Sequence, residues 1–320
     1  MDRRHLLLAG LAGLGATSGA GAVAVAFRRD LARAKARVHG GSEIFTSRFG
    51  SMEYTVAGNG PPVLMIHGTG GGFDQGLDFA RPLIDAGWRV VAPSRFGYLR
   101  SAFPDHPSVE NQADAFVDLL DWLGIDRVPA IGGSAGALSA MQFAIRHPDR
   151  CSALVALVPA AFAPDRDPPR PPNMVAAAII EYALKSDFLF WLGMKTGEDA
   201  MIASLLATDP ALVRAAAPAE RERVRQILHH ILPVSARYRG LLNDARQAGT
   251  PEPMALQTIS APTLALSFED DRFETMAAAR HIADQVRGAR LAAFERGGHV
   301  WVGRQDEVFA EIDAFLSANS

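Results

Sequence analysis

From about Ser42 onward, short apolar runs alternate with stretches in which apolar residues recur every three or four positions. Short apolar runs bounded by turn residues read as strands, and a 3.6-residue repeat reads as helix. Ser42–Ser47 and Met52–Ala57, on either side of Gly50-Ser51, predict an antiparallel pair. Val63–Ile66, Val90–Ala92, Val128–Ile131 and Ala153–Val158 are continuously apolar, the pattern of strands buried on both faces. Between them Phe79–Ala86, Val109–Leu123 and Ala135–Arg146 have helical spacing. Ser108 stands where the second of these helices needs an N-cap, Gly87 and Gly124 serve as stops, and His147-Pro148 ends the third. Thr263–Leu266 and Ala289–Phe294 resume the strand pattern, with Thr275–Val286 and Asp306–Leu316 as helices. The alternation predicts an α/β fold: a mostly parallel twisted sheet, helices on both faces and right-handed crossovers.

The rhythm breaks between residues 163 and 253, where no comparable strand occurs. A proline-rich segment, Pro164–Pro172, precedes helical patterns at Val175–Leu184, Phe188–Met194, Asp199–Leu206 and Pro218–Leu232. The expected organisation is a core of residues 42–162 and 254–320 interrupted by a helical cap insertion, 163–253. Ahead of the core, residues 1–27 contain an uncharged Ala- and Gly-rich stretch from Leu6 to Phe27, long enough to span a bilayer. Arg3-Arg4 before it resembles a twin-arginine export leader, and Ala20, Ala22, Ala24 and Ala26 offer small residues for cleavage. Residues 28–41 read as a basic linker, and its Arg28, Arg29, Arg33, Lys35 and Arg37 favour an uncleaved anchor instead. Either way the expectation is a cell-envelope location, exported or attached to the membrane through residues 6–27.

Composition narrows the partners. A net charge of −3 over 320 residues gives no basic face for nucleic acid. The single cysteine, Cys151, allows neither an internal disulfide nor a cysteine-based metal site, and reads as a buried thiol.

Four segments bear candidate chemistry, each following a predicted strand. Gly132-Gly133-Ser134-Ala135-Gly136 lies between the strand Val128–Ile131 and a helix, the context of a nucleophile elbow. There a tight turn projects the serine hydroxyl, and the following helix directs free N–H groups at developing negative charge. His67-Gly68-Thr69-Gly70-Gly71-Gly72 lacks the lysine ending of a P-loop and reads as an oxyanion loop. Its Thr69 (or Gly70) N–H would act with that of Ala135, while His67 reads as structural. Gly297-Gly298-His299 leaves an imidazole free to reach back to the serine. In Ser267-Phe268-Glu269-Asp270-Asp271-Arg272 three carboxylates compete to orient that imidazole, with Asp271 preferred and Asp270 next.

In this order, these segments resemble the α/β-hydrolase superfamily, most closely its capped group of carboxylesterases, C–C bond hydrolases of aromatic degradation and cofactor-free haloperoxidase-like enzymes. The resemblance spans residues 43–318. In that family the acid follows His-Gly-x-x; here Ser267-Phe268 replaces His-Gly, and the family aspartate falls on Asp271. The family segment Asp-x-x-Gly-x-Gly-x-Ser is altered to Ser94-Arg95-Phe96-Gly97-Tyr98-Leu99-Arg100-Ser101. Serine at the elbow argues against the related dehalogenases and epoxide hydrolases, which have aspartate there. The resemblance implies a serine hydrolase acting on a small-molecule carboxylic ester, with Ser134, His299 and Asp271 as triad and no metal or organic cofactor. C–C bond hydrolysis by the same triad is the alternative, and a binding protein on an inactive fold a third. Under the cap, Gly70, Phe188, Trp191 and Trp301 are the candidate pocket residues.

Overall fold

The computed structural model describes residues 3–164, 166 and 174–319; the side chains of residues 3–20 and 175–177 fall outside the described part. The chain opens with a long helix, α1 (Arg3–His39). Strands β1 (Glu43–Ser47), β2 (Gly50–Ala57) and β3 (Pro62–Ile66) lead to helix α2 (Phe73–Asp85). Strand β4 (Arg89–Pro93), helix α3 (Val109–Trp122), strand β5 (Val128–Gly133), helix α4 (Gly136–Arg146) and strand β6 (Cys151–Leu157) complete the first part of the core. The insertion holds α5 (Met174–Lys185), α6 (Asp187–Thr196), α7 (Glu198–Leu205), α8 (Pro210–Ala215), α9 (Pro218–His229) and α10 (Tyr238–Gln247). Strand β7 (Thr263–Phe268), helix α11 (Thr275–Gln285), strand β8 (Arg290–Phe294) and helix α12 (Gln305–Ser317) close the core.

The strands form one eight-stranded sheet in the order β1-β2-β4-β3-β5-β6-β7-β8. β2 runs antiparallel to β1 and β4, and the strands from β4 to β8 are mutually parallel. Two apolar layers account for the unbroken hydrophobic runs. Val63, Met65, Val90, Ala92, Val155 and Leu266 point into the layer shared with α2 and α12. Their neighbours Leu64, Ile66, Val91, Ala156 and Ala265 point into the layer shared with α3, α4 and α11. The period-two alternation of a strand is thus preserved although both faces are apolar. The cap residues Phe190, Met194, Ile202, Leu206, Ile227 and Ile231 belong to the first layer, so cap and core share one apolar interior.

The α/β architecture and the helical insertion between β6 and β7 are as expected from the sequence, with three differences. α2 begins at Phe73, well before the expected Phe79. Its first turn holds the buried polar residues Asp74, paired with the distant Arg237, and Gln75, which accepts the Gly68 N–H at 3.0 Å. Two cap helices, α8 and α10, were not expected. α8 does announce itself: the Asp209 carboxylate accepts the Ala211 N–H and Pro210 occupies the first turn. The third difference concerns residues 28–41, expected as a linker. Up to His39 they are helix, and Ala34 and Val38 are buried. Phe27 packs edge-on against Phe188 and Trp191, while Arg37 donates to the carbonyls of His230 and Leu232. The basic residues therefore line a helix docked on the cap. Among the described residues no helix is long and apolar enough to cross a membrane. Most of the leader reading falls on side chains outside the described part, as does nearly all of the proline-rich segment. Cys151 is buried, which pushes its thiol up to about 12.

Candidate active site

Ser134 sits between β5 and α4 with φ of 52°, in the left-handed region that costs a non-glycine residue about 1–2 kcal/mol. The flanking glycines make the turn possible. A Cβ on Gly132 would lie 2.5 Å from Cα of Ala137, and one on Gly136 2.5 Å from the carbonyl oxygens of Ile66 and His67. Gly133 meets nothing closer than 3.8 Å, so the close approach of strand and helix rests on the outer two glycines. The Ser134 N–H donates to the Leu157 carbonyl at 2.9 Å, fixing the turn to β6.

His299 reaches the serine from the loop after β8. Its Nε2 lies 2.9 Å from Ser134 Oγ, and its Nδ1 lies 2.8 Å from Oδ2 of Asp271. In the tautomer this implies, Nδ1–H donates to the carboxylate and Nε2 accepts the serine proton. Asp271 also accepts the Phe273 N–H at 2.8 Å and the Thr275 hydroxyl. Burial works against its charge, but the neighbouring imidazole and these donors outweigh that and hold the carboxyl below its usual range. The structure brings together Ser134, His299 and Asp271 and gives Asp270 a different task. Asp270 accepts the N–H groups of Gly297 (2.9 Å) and Gly298 (2.8 Å), tying down the loop that presents His299. From the cap, Thr208 Oγ1 accepts the His299 N–H at 3.1 Å. Gly298, at φ of 62°, must be glycine, since a Cβ there would lie 2.7 Å from Thr208.

The loop from His67 to Gly72 lies against the serine: a Cβ on Gly68 would be 3.1 Å from Ser134 Cβ. The N–H groups of Thr69 and Ala135 have no acceptor among the described residues. Gly70 differs, because its N–H donates to the Tyr98 hydroxyl at 3.2 Å. This removes it as the alternative to Thr69. His67 is fully buried, donating from Nδ1 to the Gly68 carbonyl and accepting the Arg95 N–H at Nε2. Burial, with the Arg95 charge adding to it, keeps the ring well below its usual pKa and therefore neutral.

Three buried groups that the sequence did not flag hold this loop. Arg95 makes paired 2.7 Å bonds to Asp244 on α10, and Tyr98 donates to the same carboxylate at 2.6 Å. Arg237 bonds the Gly71 carbonyl and Asp74. Arg95 and Tyr98 belong to the altered segment from Ser94 to Ser101, and Ser94 accepts the Phe73 N–H and donates to Glu53. The departure from the family pattern thus sits within a buried network behind the oxyanion loop. Arg95 and Tyr98 stand at positions that the family pattern leaves free, so the altered Ser94 beside them was the one signal in the sequence.

Over Ser134 lies a small cleft of about 40 Å³. Thr69, Gln75, Phe79, Val158, Phe273 and Trp301 line it from the core, and Leu205, Leu206 and Ile227 from the cap. Of the expected pocket residues, Trp301 is in place. Gly70 does not line the cleft and packs instead on Ile231. Phe188 lies on the cap surface against Phe27, and Trp191 lines a separate cavity beside α1, its Nε1–H donating to Asp30 at 3.0 Å. Their helical spacing packs α6 against α1, which occupies the face expected to meet substrate.

Sheet, elbow and loop order define an alpha/beta hydrolase fold, and the sequence profile of that family matches residues 61–302. The chain belongs to the alpha/beta hydrolase fold family. It is 28% identical to the uncharacterized hydrolase YcgS of Bacillus subtilis (strain 168), covering 82% of this chain and 93% of that protein. It is 29% identical to the 2-hydroxy-6-oxononadienedioate/2-hydroxy-6-oxononatrienedioate hydrolase of Paraburkholderia xenovorans (strain LB400), covering 78% and 84%. Among solved structures it resembles the alpha/beta hydrolase fold protein from Nakamurella multipartita, with a TM-score of 0.67 and 26% identity over 87% of this chain and all of that one. The fold alone is shared with an esterase from Exiguobacterium antarcticum, at a TM-score of 0.63 and 21% identity over 86% and 98% of the two chains.

Proposed function

We propose that the chain is a serine hydrolase that cleaves a carboxylic ester through an acyl-enzyme. The observation that supports this most directly is the chain of contacts from Ser134 Oγ to His299 Nε2 (2.9 Å) and from His299 Nδ1 to Asp271 Oδ2 (2.8 Å). In the proposed reaction the serine oxygen attacks the carbonyl carbon as His299 takes its proton. The tetrahedral oxyanion is held by the Thr69 and Ala135 N–H groups, each such donor contributing about 3 kcal/mol in comparable sites. The imidazolium returns the proton to the departing alcohol oxygen. Water then attacks the acyl-enzyme with the roles repeated, releasing acid and free serine. Asp271 keeps the tautomer and offsets the imidazolium charge.

The relatives named as hydrolases of 2-hydroxy-6-oxo-dienoates favour a second reading, C–C bond hydrolysis of a vinylogous diketone by the same triad. Their substrates are named as carboxylates. A carboxylate beside Ser134 would need a cation, because a buried unpaired charge is costly. No arginine or lysine among the described residues lines the cleft, which favours an uncharged acyl group and hence the ester. The test is direct. A fluorophosphonate should label Ser134, and p-nitrophenyl esters should be turned over while a ring-fission dienoate is not. Turnover of the dienoate alone would reverse the order of the two readings, and absence of labelling would remove both.

The envelope location belongs to the proposal as well, supported by the uncharged stretch from Leu6 to Phe27 between Arg3-Arg4 and Arg28-Arg29. Fractionation of cells making the full chain should place it with membranes or outside the cytoplasm. Recovery wholly in the cytosolic fraction would end that part.

A further inference from the structure

Between α1 and the cap lies a second cavity of about 370 Å³, much larger than the cleft over Ser134. Its lining is lopsided in charge. Arg29, Arg33 and Arg37 come from α1 and Lys195 from α6, with His229 and His230 at the end of α9. Asp30 is the one carboxylate among its lining residues. That carboxylate is already engaged, accepting the Trp191 Nε1–H at 3.0 Å and lying 3.2 Å from the Lys195 ammonium. Arg33 has no ion-pair or hydrogen-bond partner among the described residues, and neither does the amide of Gln226. Arg29 has only a 3.4 Å contact with its chain neighbour. Arg37 is anchored by the carbonyls of His230 (3.0 Å) and Leu232 (2.6 Å) and by Asp74, so one wall is fixed to the core. His229 reports the local potential: burial first, and the Lys195 charge next, hold its ring below the usual pKa.

We propose that this cavity binds a phosphate-type oxyanion between Arg29 and Arg33 on one side and Lys195 and Gln226 on the other. Guanidinium forks match the geometry of phosphate oxygens, and an ammonium and an amide add point donors. Arg29 and Lys195 share the single Asp30 carboxylate and Arg33 has no partner among the described residues, so the group carries more positive than negative charge, and a bound anion relieves the excess. Two sources share this chemistry: free phosphate, and the phosphodiester of an anionic lipid. The second has a positional argument. Arg28 and Arg29 follow the uncharged stretch from Leu6 to Phe27, so if that stretch enters a bilayer the cavity falls at headgroup depth.

The test uses the full chain in neutral detergent or neutral bilayers and reads binding, so it is independent of the esterase reading. Three proteins are compared: wild type, Arg33→Gln/Lys195→Gln, and a charge-matched control, Arg48→Gln/Arg304→Gln, altered at exposed sites away from the cavity. Titration with inorganic phosphate at constant ionic strength should raise the melting temperature of wild type and control, with affinity in the cavity variant about tenfold weaker or lost. Selective binding to phosphatidylcholine vesicles containing phosphatidylglycerol, lost in the cavity variant alone, would identify the lipid as the source. Asp30→Asn keeps an acceptor for the Trp191 N–H and removes the opposing charge, so it should tighten binding. Identical responses of all three proteins to both probes, or weaker binding by Asp30→Asn, would overturn the site.

Discussion

A serine hydroxyl is a poor nucleophile until a base is held within hydrogen-bond reach and the base's far nitrogen is itself held. Here the two adjacent aspartates divide that labour. Asp271 faces the imidazole, while Asp270 faces the backbone of the loop that presents it. Ser134→Ala should therefore lower kcat about 10⁶-fold with the fold unchanged, read by ester turnover and circular dichroism. Turnover within tenfold of wild type would remove the serine from its role. Asp271→Asn cannot hold the required tautomer and should cost about 10⁴-fold. Asp270→Asn can still accept one of the two N–H groups and should cost only about tenfold, and kinetics of the pair would expose a reversed assignment. At this scale the sequence was most legible for Ser134 and His299, because glycine is forced by local geometry around each. The choice between Asp270 and Asp271 was harder, since neighbouring carboxylates look alike until side-chain direction is known. Phe188 and Trp191 were misread for a similar reason: an apolar helix face specifies burial without specifying against what.

Among the elements, α1 and the first turn of α2 work together. Arg37 and Arg237 both hold Asp74, and Arg237 also holds the Gly71 carbonyl in the oxyanion loop. α1 is thereby joined to the loop that carries Thr69. Removing residues 1–27 deletes Phe27 from its aromatic contacts but keeps Arg37 and should leave a folded, active enzyme. Removing residues 1–41 takes Arg37 as well. Arg37→Ala alone should cost about 1–3 kcal/mol, because two carbonyls and a carboxylate lose a charged donor. Thermal unfolding of the two truncations and the point variant would check the order; equal stability of both truncations would show that the Arg37 contacts contribute nothing. The elements most readable from sequence were those with an unambiguous apolar pattern, continuous in the strands that are buried on both faces and one-sided in α3. The start of α2 was unreadable because Asp74 and Gln75 are polar yet buried.

In the whole molecule, cap and core share one apolar layer and close over a cleft of only about 40 Å³, room for little more than a few waters. The cap residues Leu205, Leu206 and Ile227 form part of its lining, so the cap limits what can approach Ser134. The charge network across this interface gives the folded state a pH signature. Burial opposes the charge on Asp74, but Arg237 and Arg37 outweigh it and lower its pKa to about 2, against the ordinary 3.8. A depressed pKa stabilises the folded state above the unfolded value and loses that contribution as pH falls toward the folded one. About 2 kcal/mol should therefore disappear between roughly pH 4 and pH 2, with Asp271 acting in the same direction. Asp74→Asn should lose about 3–5 kcal/mol at neutral pH, since it leaves buried arginine charge uncompensated, and should flatten that acid limb. Urea unfolding at a series of pH values measures both, and an unchanged acid limb in the variant would assign the acid sensitivity elsewhere.

The sequence by itself determined the α/β class and the position of the insertion, and it singled out the segments that the structure brings together around Ser134. Each of these rests on local rules: a two- or 3.6-residue apolar period, a cap, or a turn that only glycine fits. Tertiary structure alone decided which aspartate meets His299, that Gly70 gives its N–H to Tyr98, and that the basic stretch after Phe27 packs against the cap as a helix. Those outcomes depend on partners far away along the chain: Asp271 for His299, Tyr98 for Gly70, and the carbonyls of His230 and Leu232 for Arg37. A buried ion pair leaves no periodic trace in either of the segments that supply it.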